Sequence, residues 1–283
     1  MDNDDMPVGR VLSRRRALAL FGAAGVTFTA IRATSLAMAD TTTANGATGS
    51  AVDCVAKPEM TEGPYYVDEG LNRSDIRIDT SDGSVAAGTT FSLVLRVSQI
   101  VDCVRKPLPG AIVDIWHCDA GGVYSDIAAE GTTGKNFLRG YQVTNSGGIA
   151  KFTTILPGWY QGRTVHTHVK IRTTGTDGNP YEFTSQLFFT EGFKTAYLAT
   201  APYAAKGAPD TTNATDMHYA GIGDQMLLNP SATDDGYEAT FSIALDLSDT
   251  AVGADDSFQM GGGGQPGGDG PPPPGAPTPT PTA

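Results

Sequence analysis

Ile155-Leu156-Pro157-Gly158-Trp159-Tyr160-Gln161-Gly162-Arg163-Thr164-Val165-His166-Thr167-His168-Val169-Lys170 is the stretch whose reading decides the fold and the chemistry. Pro157 and Gly158 set φ for a turn. Val165 onward has the β-branched, apolar character of a strand. Side chains alternate along a strand, so His166 and His168 share a face, one pleat apart. Two same-facing imidazoles with Tyr160 and Arg163 just upstream suggest a metal pocket. A His-x-His pair also occurs as two solvated or hydrogen-bonded residues. The chain holds only four His, and that scarcity gives the pairing weight.

Outward from this stretch, strand patterns recur over residues 90–100, 111–118, 138–144, 148–155, 165–173, 182–190 and 238–247. Turn signals separate them, notably Pro107-Leu108-Pro109-Gly110, Asn145-Ser146-Gly147-Gly148 and Thr176-Asp177-Gly178-Asn179-Pro180. Many short strands with such turns predict an all-β chain, an antiparallel β-sandwich with long irregular loops. Pro58 and Pro64 forbid a continuous ladder before residue 68. Helical pattern is scarce, with one short helix expected over 193–199. Residues 201–235, rich in Gly, Pro, Asn and Asp, read as a long excursion with little regular structure. His117 and His218 read as structural or solvated, and Trp116 as core.

The ends of the 283-residue chain have a different composition. Residues 1–39 carry Arg14 and Arg15 after Ser13, then an apolar run from Ala17 to Ile31, then Ala37-Met38-Ala39 before Asp40. This is the pattern of a twin-arginine-type signal peptide, and it predicts export to the periplasm, cell surface or outside. The apolar run is too short and too rich in Gly and Ala for a membrane span, so no transmembrane segment is expected in the mature protein. Residues 40–53 form a small-residue linker, 54–259 the β-sandwich domain, and 260–283 a Gly/Pro/Thr-rich tail expected to be disordered. The net charge is −12. The signal segment holds five Arg and three Asp, so its removal leaves −14. Such acidity disfavours nucleic acid and anionic membrane surfaces as partners. Of Cys54, Cys103 and Cys118, two are free to pair in an oxidising compartment, and the sequence does not choose which.

The run from Pro157 to His168 resembles the signature of intradiol ring-cleavage dioxygenases, non-haem ferric enzymes that open catechols, and is most similar to their exported, single-domain branch. Three further segments match in order: Thr61-Glu62-Gly63-Pro64-Tyr65-Tyr66, Trp116 through Tyr124, and Thr184-Ser185-Gln186-Leu187-Phe188-Phe189. The resemblance implies a Fe(III) cofactor held by Tyr124, Tyr160, His166 and His168. It implies Tyr160 as the tyrosinate that leaves iron when substrate binds, and Arg163 as the cation that stabilises charge on the ring. Gln186 is placed near the metal as a hydrogen bonder, and Tyr65 and Tyr66 at the mouth of the pocket. The partners implied are a small aromatic diol and O2. The helical dimerisation segment of the cytoplasmic enzymes has no counterpart in the short stretch ahead of Thr61, which leaves oligomeric state open. Two other readings stand beside this one. One is a zinc hydrolase using His166 and His168, which lack a suitably spaced acidic third ligand and have Glu182 as the candidate for it, and the other a non-catalytic exported β-sandwich binding module.

Overall fold

The computed structural model describes residues 55–251. The expected signal segment, linker, Gly/Pro/Thr-rich tail and Cys54 lie outside them. Nine strands form: β1 (Thr90–Val101), β2 (Val104–Pro107), β3 (Ile112–Trp116), β4 (Arg139–Val143), β5 (Ile149–Ile155), β6 (His166–Thr174), β7 (Pro180–Phe188), β8 (Ser231–Thr233) and β9 (Gly236–Leu245). The one α-helix among the described residues, α1 (Glu191–Leu198), is capped by Thr190, whose hydroxyl accepts from the Phe193 amide.

The strands divide into a four-stranded sheet, β4-β3-β6-β7, and a five-stranded one, β2-β1-β9-β8 with β5 paired to β1. One apolar cluster joins them. Phe91, Leu93 and Leu95 of β1 and Phe152 of β5 meet Val113 and Ile115 of β3, Val169 and Ile171 of β6, and Phe183 and Leu187 of β7. A core shared by two sheets is the expected β-sandwich.

The pairing departs from the antiparallel expectation in one place. β1 and β9 run parallel, from Thr90 opposite Gly236 to Gln99 opposite Leu245. A parallel neighbour needs a long return connection, and here the rest of the domain provides it. β2 was absent from the sequence pattern. It follows a two-residue hairpin turn at Asp102 and Cys103, whose φ values are 51° and 59°. Such turns favour glycine, but this one uses Cys103, which is disulfide-bonded. Cys118 is a buried free thiol.

The excursion after α1 contains two short 3-10 turns, Tyr203–Lys206 and Gly223–Met226, before β8. No helix among the described residues is long and apolar enough to cross a membrane.

Candidate metal centre and its clamp

β6 positions the site by alternation. Thr167, Val169 and Ile171 face the core side, so His166, His168 and Lys170 take the other face. His168 lies opposite Trp116 on β3 and Gln186 on β7. Both imidazoles are about 2% exposed.

Two tyrosines arrive from loops. Tyr124 comes from the β3–β4 connection, which is wound around Asp119: its carboxylate accepts from the amides of Gly121 and Val123, and its carbonyl from those of Gly122 and Gly158. The two tyrosine loops interlock through glycine. A Cβ on Gly122, at φ +83°, would sit 2.0 Å from the Trp159 carbonyl, and one on Gly158 would sit 2.4 Å from that of Asp119. Only bare backbone lets the loops approach this closely.

Four donor atoms then converge. The Nε2 of His166 lies 3.1 Å from His168 Nε2, 3.2 Å from Tyr160 Oη and 3.4 Å from Tyr124 Oη. His166 Nδ1 donates to the Thr164 carbonyl at 2.7 Å, which leaves the lone pair on Nε2, aimed at the other three. His168 Nδ1 is buried with no hydrogen-bond partner, so its other nitrogen is the one with a task. Burial, reinforced by Arg163 at His166 and by His166 at His168, holds both imidazoles well below their usual pKa. Burial also pushes the Tyr124 phenol well up, with Tyr160 next among the causes. Without a cation, two neutral imidazoles and the neutral Tyr124 phenol therefore crowd one spot together with the Tyr160 hydroxyl. This donor set fits a hard trivalent metal that prefers anionic oxygen, with two phenolates and two imidazoles in its shell.

The described residues contain no group of three His, Cys, Asp or Glu able to hold a metal. Glu182, the third ligand of the zinc reading, pairs with Arg172, two pleats along β6 from His168, and binds Lys170 at 2.7 Å. It is too far along the sheet to join the imidazoles, and that reading loses its third ligand.

Tyr65 stacks on Tyr124 at 4.4 Å between ring centroids and meets the edge of Tyr160 at 5.7 Å. Tyr66 turns away from the donors, onto Trp116 at 4.8 Å and under the Lys170 ammonium. Its place is one layer behind the mouth. Trp116 is buried, but not in the main core as its sequence context suggested; β3 alternation puts it on the site face, stacked on His168 at 4.7 Å and 7°. His117 points the other way. Its Nδ1 donates to the Cys118 carbonyl and its Nε2 accepts from Thr154 Oγ1, so it is structural.

Arg163 is 8% exposed and held from two sides: Nε donates to Asp216 at 2.9 Å, and Nη2 to the Gln186 side-chain oxygen at 2.6 Å. Gln186 thus accepts from the arginine, and its Nε2 donates to the Thr61 carbonyl at 3.4 Å. Sequence reasoning missed the groups that hold this stretch. From the excursion, Asp210 accepts from the Gly162 amide, Asn213 meets the Thr164 hydroxyl at 2.7 Å, and Asp216 accepts from the Thr164 amide. Lys194 of α1, buried, donates to Thr164 Oγ1 and Asn213. Arg139 donates to the Ser125 and Tyr65 carbonyls and lies 5.8 Å from the Tyr124 ring centre. The only sequence signal of Asp210, Asn213 and Asp216 was their polarity in a predicted loop, which usually means turns, while Lys194 and Arg139 lay in a predicted helix and strand with nothing to mark them.

A family model described as a dioxygenase matches residues 61–192. Catechol 1,2-dioxygenase from Acinetobacter baylyi is 37% identical over 105 residues, covering 37% of this chain and 32% of that enzyme. Catechol 1,2-dioxygenase from a Pseudomonas species is 29% identical over 206 residues, covering 69% of this chain and 64% of that enzyme. The aligned part is thus about a third of the first relative and under two thirds of the second. An intradiol ring-cleavage dioxygenase from Tetranychus urticae superimposes with a TM-score of 0.58 at 29% identity, covering 69% of this chain and 96% of that structure. With the ordered motifs and the sandwich, these likenesses support the intradiol ring-cleavage dioxygenase family for this chain.

Proposed function

We propose that the protein is a Fe(III)-dependent dioxygenase that inserts both atoms of O2 into a catechol-type aromatic diol. The ring opens between the two hydroxylated carbons, giving a muconate-type diacid. The observation that carries this reading is the convergence of two phenol oxygens and two imidazole nitrogens around His166 Nε2. Tyr124, Tyr160, His166 and His168 would hold the iron. When bound, it orients the diol and makes its ring carbons reactive toward O2.

The chain's own groups have separable tasks. Tyr124 is fully buried and stays in place, whereas Tyr160 is half-buried and follows the Pro157-Gly158 turn. Tyr160 would therefore be the side chain that swings out, its phenolate taking a proton from the diol at Oη. Arg163 presents a permanent cation toward negative charge developing on the ring. Tyr65, against both tyrosines, shields that face from water.

Metal analysis with a visible spectrum of the purified protein tests the assignment. Stoichiometric iron and a red-brown tyrosinate charge-transfer band are expected, and a colourless zinc protein overturns it. Product analysis with catechol tests the regiochemistry: a yellow semialdehyde excludes cleavage between the hydroxylated carbons. Export through the twin-arginine route belongs to the same proposal. Changing Arg14 and Arg15 to Lys should leave iron-loaded protein inside the cell, and unimpaired export of that variant contradicts the route.

A further inference from the structure

Asp216 stands fifty-three positions from Arg163 in the excursion, and its side chain is fully buried. Its two oxygens are divided by origin. Oδ1 accepts from the backbone amides of His218 at 2.8 Å and Tyr219 at 3.0 Å, which fix the carboxylate to its own loop. Oδ2 accepts from Arg163 Nε at 2.9 Å and from the Thr164 amide at 2.7 Å, both in the signature stretch. Burying an ion pair costs the hydration of both ions, so such a pair is weak as a stabilising device. A fully hydrogen-bonded one is strong as an orienting device, because a carboxylate with every lone pair engaged cannot follow a moving partner.

The guanidinium is a planar fork. Gripped at Nε by Asp216 and at Nη2 by Gln186, its plane cannot rotate about the side-chain axis. The same oxygen of Asp216 holds Thr164, whose carbonyl takes the His166 Nδ1 proton. One buried carboxylate thus reaches two neighbours of the donor cluster.

Building on the function proposed above, we propose that Asp216 is a positioning residue for the reaction: it sets the plane of the Arg163 guanidinium against the bound diol, and its loop is a working part of the site. It touches neither metal nor substrate and acts through Arg163.

The test is a double-mutant cycle on iron-loaded protein, with iron content, charge-transfer band, kcat and KM for catechol measured for each variant. Asp216→Asn keeps the size but removes the charge and one acceptor oxygen, so its NH2 must oppose either Arg163 and the Thr164 amide or the His218 and Tyr219 amides, and the four-bond grip is broken. It should keep iron and band while kcat falls about a hundredfold, the scale of a small misplacement of a catalytic group, with KM changed less than threefold. In an Arg163→Ala background the same substitution should change kcat less than twofold, since the group it positions is gone. Arg163→Ala alone leaves a buried carboxylate without its cation and so risks misfolding. Asp216→Asn with Arg163→Ala relieves that charge and is the folded reference, compared with Asp216→Asn alone. Wild-type kcat in iron-loaded Asp216→Asn overturns the role, and so does an unchanged kcat between Asp216→Asn and the double variant paired with wild-type-like Arg163→Ala. Wild-type protein without iron or turnover overturns the site assignment itself, a different result from an active enzyme indifferent to Asp216.

Discussion

β1 and β6 are the central strands of their sheets and differ in what lies on their second face. Over Phe91 to Val97 β1 alternates, with Phe91, Leu93, Leu95 and Val97 buried, Ser92 and Val94 half-buried and Arg96 exposed. β6 is buried over its first six residues, on both faces. Its second face is polar: His166, His168 and Lys170, covered by Glu62, Tyr65, Tyr66 and the excursion. Since burial of polar groups costs free energy unless they are partnered, a strand that hides His and Lys needs a reason. One sheet holds the sandwich together, and the other is covered because something must be kept from water.

If the sheets divide the work this way, variants on the two should fail differently. The largest effect belongs to His168→Ala. Iron affinity should drop by more than the ~10–100-fold that loss of an outer partner costs, and the band should vanish while the β-rich far-UV spectrum persists. Equilibrium dialysis with metal analysis reads this, and retained iron would erase the distinction between the strands. Next is Phe152→Ala on β5. It should lower stability by about 3–5 kcal/mol in denaturant unfolding, with kcat per iron-loaded molecule unchanged. A fall in kcat would mean that the five-stranded sheet also shapes the site.

His117 sits between the two. Burial holds its imidazole down, to about 4 against the usual 6.5, with the hydrogen bond to Cys118 opposing. A depressed value means the folded protein favours neutral His117, so this stability is complete above 6.5 and lost as pH falls from 6.5 toward 4. The size is about 3 kcal/mol. Unfolding curves across that window should be flatter for His117→Gln than for wild type, and equal slopes would remove His117 as the cause. The smallest effect is Arg96→Ala on the open face of β1, expected within about 0.5 kcal/mol of wild type. A larger loss would show that this face is covered too.

The seven strands expected from the sequence all form within two residues of their limits, because alternation and turn chemistry act locally. The short strands β2 and β8 escaped for opposite reasons. Cys103 stands where a turn ordinarily shows glycine, and the Ser231–Thr233 strand has too few residues to display a period. The donor residues were legible because Tyr160, His166 and His168 lie within one stretch and Tyr124 carries its own motif. The clamp was not. Asp216, Asn213 and Lys194 reach Arg163 and Thr164 across long sequence separations, and nothing local distinguishes such a residue from one that merely caps a turn. Glu182 shows the converse: a residue type suited to metal, on the right strand, in a register that puts it beside Lys170.

The parallel pairing of β1 with β9 sets a timetable for synthesis. The hydrogen bond from Ser98 Oγ to the Ile243 carbonyl spans 145 positions, so the first strand made waits for the last before its sheet is complete. The donors at positions 124 to 168 leave the ribosome well before that. Topologies dominated by such distant contacts fold in milliseconds to seconds rather than microseconds, and β1, already paired with β2 and β5, leaves one edge open as a template for association in the interval. The growing chain therefore carries the open β9-side edge of β1 through about half of its translation, from residue 101 to residue 245.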